Sequence, residues 1–298
     1  MQSNNQRKFI LSPIVNILQD TVTACKGIGH GIETQSLGEY VLQTTFLKMT
    51  GASEQKLKSI CWEMATNDYD YRYQYLKKNY GECSSYADKN SIYKDLIDMI
   101  VKHSPDFSAN RLFDDVNISV KENDLIEKRI KETQKAQEWR KKRKLTDVEC
   151  QKLSEGMKKY FTKNGLCEKE KANFSRIVLF EGIQDKLEGM VGNSLVAQWE
   201  QHNYLNYINS WKKLSSGNYA TGDILLGKDL QDFYTDIVYK HRNRCAHNLV
   251  SFQNNLPTLK TLTKEGFVYD NYYYRFSMLI LLDEIFVRLY KAYLDAIV

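Results

Sequence analysis

Proline is scarce. Only Pro13, Pro105 and Pro257 occur in 298 residues, beside a modest 15 glycines. These residues interrupt helices, by removing a backbone donor or by adding chain entropy. Their scarcity leaves long segments without a breaker and favours helices. Cysteine is present without a pattern: Cys25, Cys61, Cys83, Cys150, Cys167 and Cys245 form no C-x-x-C, and no Cys/His group has zinc spacing. Free thiols in a reducing, cytoplasmic setting are expected. No uncharged apolar run approaches the roughly 18 residues of a membrane span. The most apolar stretch, from Phe276 to Leu282, is cut by Asp283 and Glu284. The first residues precede no long apolar run, so no signal peptide and no membrane partner are expected. No fixed-period repeat appears.

Charge is present but unevenly placed. The net charge is +5. Residues 121–171 hold 16 Lys/Arg and 10 Asp/Glu, so the rest of the chain sums to −1. That surplus permits contact with a polyanion. Its densest run is Arg140-Lys141-Lys142-Arg143-Lys144, behind Trp139.

The apolar periodicity predicts an all-α chain. Helices are expected over 9–24, with Ser12-Pro13 in the first turn, over 35–50, and over 53–65 with Ser53 as N-cap. Tyr69, Tyr71, Tyr73 and Tyr75 alternate with polar residues, which suits a strand or a Tyr-rich helix; the helical surroundings favour the helix. A helix follows over 92–101, closed by His103-Ser104-Pro105, and 107–120 is irregular. One or two exposed helices, an arm or hairpin, span 121–164. Four more are expected over 174–190, 195–214, 229–248 and 273–296, enough for a four-helix bundle. The division implied is a helical domain of unknown role at 1–120, a basic arm at 121–171 and a bundle at 172–298.

Two of the five histidines fall in Tyr239-Lys240-His241-Arg242-Asn243-Arg244-Cys245-Ala246-His247-Asn248. Asn243 and His247 are i and i+4 on a helix and share a face. Arg242 stands about 140° round from His247 on an ideal helix. An imidazole titrating near neutrality, a planar cation and an amide suit phosphodiester chemistry. No Asp/Glu cluster of a two-metal nuclease stands nearby, so no metal and no cofactor are expected. Attack by a 2′-hydroxyl needs one group to take its proton and another to protonate the leaving oxygen. One such histidine per chain therefore points to a homodimer that joins two copies of the motif. His241 and Arg244 are read as rim residues. His30, between glycines, reads as a loop residue and His202 as structural.

Arg242-Asn243-Arg244-Cys245-Ala246-His247 resembles the R-x4–6-H motif of HEPN domains, in its R-N-x-x-A-H-N form, over about residues 172–298. The resemblance implies a helical bundle that dimerises and a metal-independent endoribonuclease of toxin–antitoxin, abortive-infection or CRISPR-linked defence. His247 would be the acid/base or orienting group, Arg242 the phosphate-stabilising group and Asn243 a polar support. Beside that set, the basic Lys240 and Arg244, with Arg140, Lys141, Lys142, Arg143 and Lys144, are candidate nucleic-acid contacts on their charge alone. An antitoxin or defence-complex partner is implied as well. One branch of the family carries a tyrosine two residues after the histidine; Leu249 stands there instead. Some members are inactive binding modules, so a non-catalytic RNA- or DNA-binding subunit is the alternative. A third reading makes the basic run 140–144 the main site of a DNA-binding component.

Overall fold

The computed structural model describes residues 2–28, 35–77, 81–119, 122–164, 166–190, 217–247 and 272–297. Among the described residues the fold is all-α but for one two-stranded hairpin. Its contacts separate two units, Met1–Leu112 with Glu181–Val298, and Phe113–Phe180. The first unit is discontinuous: residues 1–112 share it with the C-terminal helices, where the sequence pattern suggests two separate domains.

The reason lies in the last helix, Tyr272–Ala296. Nearly every residue from Tyr272 to Tyr290 is buried, including Arg275 and Asp283. A helix that is apolar all round needs partners on every side. The N-terminal segment supplies them: this helix packs on α1 (Gln2–Leu11), α3 (Gln35–Asn67) and α5 (Tyr86–His103).

Two expected boundaries change. The helix expected over 9–24 is two helices, α1 and α2 (Val15–Ala24), because Ser12-Pro13 interrupts the helical run and leads into the second. The helices expected over 35–50 and 53–65 are the single α3, running through Gly51. Leu42, Phe46, Met49, Ser53, Leu57, Ile60 and Met64 are all buried at spacings of three and four. That continuous stripe outweighs the roughly 1 kcal/mol that glycine costs inside a helix. Gly51 is exposed, and a Cβ there would meet nothing within 4 Å. Gly51→Ala is therefore expected to stabilise the protein by about 0.5–1 kcal/mol. An unchanged or lowered urea midpoint would contradict the account of α3.

The tyrosine-rich stretch is a helix, α4 (Tyr69–Lys77). Its Arg72 donates to the Ala65 and Thr66 carbonyls, satisfying the C-terminal end of α3. In α5 the Ser85 side chain caps the start by accepting from the Asp88 N–H. His103 is the last residue of α5, where a basic side chain suits the dipole.

A hairpin follows residue 217. Strands β1 (Tyr219–Thr221) and β2 (Ile224–Leu226) pair antiparallel around Gly222-Asp223, with Gly222 at φ +54°. Tyr86, Asn90 and Tyr93, one face of α5, bond to Leu226, Leu225 and Gly222 of this hairpin. The hairpin leads directly into helix α9 (Lys228–Phe233), a π-helical segment (Tyr234–Tyr239) and α10 (Lys240–His247). The Tyr272–Ala296 helix is α11. The helix expected over 195–214 and the loops around Gly29 and Pro257 lie outside the described residues.

The second unit is a helical hairpin, α6 (Glu122–Lys141) and α7 (Asp147–Asn164), followed by the start of α8 (Glu168–Glu188). Its core is small: Leu125, Phe161, Leu166, Phe174 and Ile177, flanked by Ile118, Ile126, Met157 and Val178. The sparse apolar anchors of the sequence are thus enough for a hairpin but leave most of it exposed. Among the described residues, no helix is long and apolar enough to cross a membrane.

Candidate active site

The segment from Lys228 to His247 buries Leu230, Tyr234, Val238, His241 and Cys245 at spacings of four and three. Its middle turn is π-helical, a widening that recurs at functional sites. The widening ends at Tyr239, so Arg242 to His247 is regular α-helix. Arg242 therefore keeps its angular offset of about 140° from His247.

Arg242 is turned toward α3. Its Nη2 lies 3.0 Å from Glu54 Oε2, and Nη1 donates to Asn243 Oδ1 at 3.2 Å. The side chains of Arg242 and Glu54 are only 22% and 13% exposed, so water screens this pair poorly. The structure thus joins Arg242 to Asn243 and places His247 at the last position of α10. Asn248 lies outside the described residues, as do His30 and His202.

A cavity of about 10 Å³, room for roughly one water molecule, borders this pair. Glu54, Ser84, Lys89, Tyr234 and Arg242 are among the residues that line it. Lys89 is fully buried, donates to the Cys83 carbonyl at 2.6 Å and lies 5.8 Å from the centre of the Tyr234 ring. Burial pushes its ammonium down to about 8, against the opposing pull of Glu54 and with a further push from Arg242. The Tyr234 hydroxyl donates to the Ser84 carbonyl at 2.6 Å, and burial drives its ionisation well above the usual range. Arg242 thus holds Glu54 directly, while Lys89 feels that carboxylate only as a nearby charge in a poorly solvated spot.

Glu54, Lys89 and Tyr234 were not singled out by sequence patterning. Lys89 had a signal: it stands three, four and seven residues before the buried Ile92, Tyr93 and Leu96. A lysine on the apolar face of an amphipathic helix is buried unless it snorkels. Glu54 had none, since nothing in the sequence pairs residue 54 with residue 242.

His241 is not at a rim. It is buried between Phe46 and Tyr272, with ring centroids at 5.1 and 5.4 Å, and its Nε2 is 3.4 Å from Cys245 Sγ. Burial, then the charges of Arg275 and Arg244, lower its pKa to about 2. It stays neutral and belongs to the core, because position 241 continues the apolar stripe of 230, 234 and 238. Arg244 is exposed. Lys240 is exposed but paired with Asp236 at 2.7 Å.

The basic run lies at the α6–α7 turn. Lys141 and Arg143 are bound by Glu149, at 3.0 and 2.8 Å. Arg140, Lys142 and Lys144 are exposed. Among the described residues, no group of three or more His, Cys, Asp or Glu is placed to hold a metal ion.

In comparisons with family models, curated proteins and solved structures, the chain matches none of them.

Proposed function

We propose that the chain is a metal-independent endoribonuclease of the HEPN type, an effector of prokaryotic antiviral defence whose active site is composed by two copies of the chain. The supporting observation is Arg242-Asn243-x-x-Ala246-His247 on one regular helix of an all-α fold, with the Arg242 and Asn243 side chains joined at 3.2 Å. In this reading a 2′-hydroxyl attacks the adjacent phosphorus and the 5′-oxygen departs, leaving a 2′,3′-cyclic phosphate. His247 moves a proton, and Arg242 neutralises the charge that grows on the phosphoryl oxygens. Asn243 steers the guanidinium. The second proton-transfer group comes from the partner copy.

The test is cleavage of labelled RNA in EDTA. His247→Ala and Arg242→Ala are each expected to lower the rate by about a hundredfold or more. Mixing His247→Ala into the wild type is expected to lower the rate beyond simple dilution, since a mixed dimer keeps only one of the two histidines. Cleavage by His247→Ala at the wild-type rate would sink the proposal.

The Glu54 carboxylate on Arg242 favours a second reading. A phosphate must compete with Glu54 for the guanidinium, which suits a regulatory or nucleic-acid-binding subunit of a larger complex. Binding that survives loss of both Arg242 and His247, with no turnover by the wild type, would support that reading over the first.

A further inference from the structure

We propose that the turn between α6 and α7 is a binding site for single-stranded nucleic acid, in which Trp139 stacks on a base and Arg140, Lys142 and Lys144 hold phosphates. The inference extends the ribonuclease reading to another surface, RNA being the strand that reading calls for, but it requires no cleavage.

The turn is built to hold its shape. At the end of α6 the Arg143 N–H reaches the Glu138 carbonyl and the Lys142 N–H the Trp139 carbonyl, the paired bonds of a Schellman ending. Thr146 and Glu149 then start α7 with a reciprocal capping box: Thr146 N donates to Glu149 Oε2 at 3.0 Å, and Glu149 N to Thr146 Oγ1 at 3.4 Å. The same Glu149 takes Arg143 through two bonds of 2.8 Å and Lys141 through one of 3.0 Å. Arg143, the Thr146 N–H and Lys141 together hold the Glu149 carboxyl far below the usual carboxylate range. Glu138 accepts from the Leu145 N–H at 3.1 Å, and Leu145 is buried beneath the turn.

What the turn presents is cationic and aromatic. With Lys141 and Arg143 engaged by Glu149, the exposed Arg140, Lys142 and Lys144 project their charges with no acidic partner at hydrogen-bonding distance among the described residues. Counting Glu138, Asp147 and Glu149, residues 138–149 still carry +2. Trp139 is 85% exposed, and Val148, across the turn, 62%. An exposed indole beside cations fits a strand whose bases are unpaired, because stacking needs a free base face and phosphates need charge. A duplex offers only the second.

Lys142 carries the most telling detail. It sits at φ +51°, the left-handed position where a Schellman ending ordinarily uses glycine. A side chain there strains the backbone. The structure keeps a cation at a position where glycine would be more stable.

The experiment measures binding of a labelled single-stranded RNA to full-length protein across a salt series, in the His247→Ala background so that the RNA stays intact. Trp139→Ala is expected to weaken binding roughly tenfold, with Trp139→Phe recovering part of the loss. Neutralising Arg140, Lys142 and Lys144 with glutamine is expected to flatten the slope of log affinity against log salt by roughly 2, at about 0.7 per phosphate. Lys142→Gly is expected to raise Tm and weaken RNA binding at once. Affinity unmoved by Trp139→Ala, or a slope unmoved by the glutamine variant, overturns the proposal. Equal loss toward polyglutamate or toward duplex RNA also overturns it, since the surface would then read charge alone. Tip-dependent binding by a protein that never cleaves would overturn the ribonuclease reading only. Cleavage with tip-independent binding would overturn this one only.

Discussion

Asp283→Ala is expected to destabilise the protein by about 3–5 kcal/mol, the cost of leaving a buried charge without its partner. Asp283 is 5% exposed on α11 and reaches two segments at once. Its Oδ1 lies 2.6 Å from Lys56 Nζ of α3, and its Oδ2 accepts from the Ile14 N–H at 2.9 Å, just before α2. Lys56 also donates to the Ser12 carbonyl. Burial raises the Asp283 pKa above the ordinary carboxylate value even against Lys56 and the Ile14 N–H. The pair is therefore a weak source of net stability; what is costly is removing one member. Lys56→Met with Asp283→Ala is accordingly expected to lie closer to wild type than either single variant. Asp283→Asn, which keeps an acceptor for Ile14, should lose less than Asp283→Ala. Urea unfolding followed by circular dichroism decides this. A double variant as unstable as the sum of the singles would contradict the ion-pair account.

Lys89 gives the second large effect, visible in pH. Its pKa is near 10.5 in the unfolded chain and about 8 in the fold. Between those values the unfolded chain binds the proton and the folded chain does not, so stability rises with pH. Below about 8 both states are protonated and the fold carries the full cost, about 3 kcal/mol. Wild type is expected to gain about 2 kcal/mol relative to Lys89→Met between pH 7 and 9.5. At pH 7 Lys89→Met is expected to be at least as stable as wild type. Curves that run parallel over that range would refute the buried-cation assignment. The range stops at 9.5 because Tyr234 and Tyr290, both held protonated by burial, oppose the trend at higher pH.

Local features were legible in the sequence and long-range ones were not. The period of Ile92, Leu96 and Met99 is that of α5, and Thr146-Asp147-Val148-Glu149 is a visible capping box. The break at Ser12-Pro13 is ambiguous in sequence, because a proline that suits a first turn also forces any helix before it to stop. Gly51 suggested a break that packing overrides. The hairpin at Tyr219–Leu226 escaped because its strands have three residues each, too short to show an alternation. At the candidate site the cluster around Arg242 was visible as chemistry. Its partners were not, because Glu54 lies 188 residues away in the chain. A histidine in a charged cluster reads as polar, and His241 belongs to the core only through Phe46 and Tyr272, both remote from it in sequence.

The bond from Ile14 to Asp283 spans 269 residues. A ribosome makes the chain from the other end, so Ile14 and Lys56 emerge long before the carboxylate that holds them. Throughout synthesis the N-terminal helices expose the apolar surface that α11 will cover. Residues 113–180 need no such wait, since their core lies within one short stretch. The middle of the chain is expected to fold first during translation, and the first unit to close only once α11 has been made.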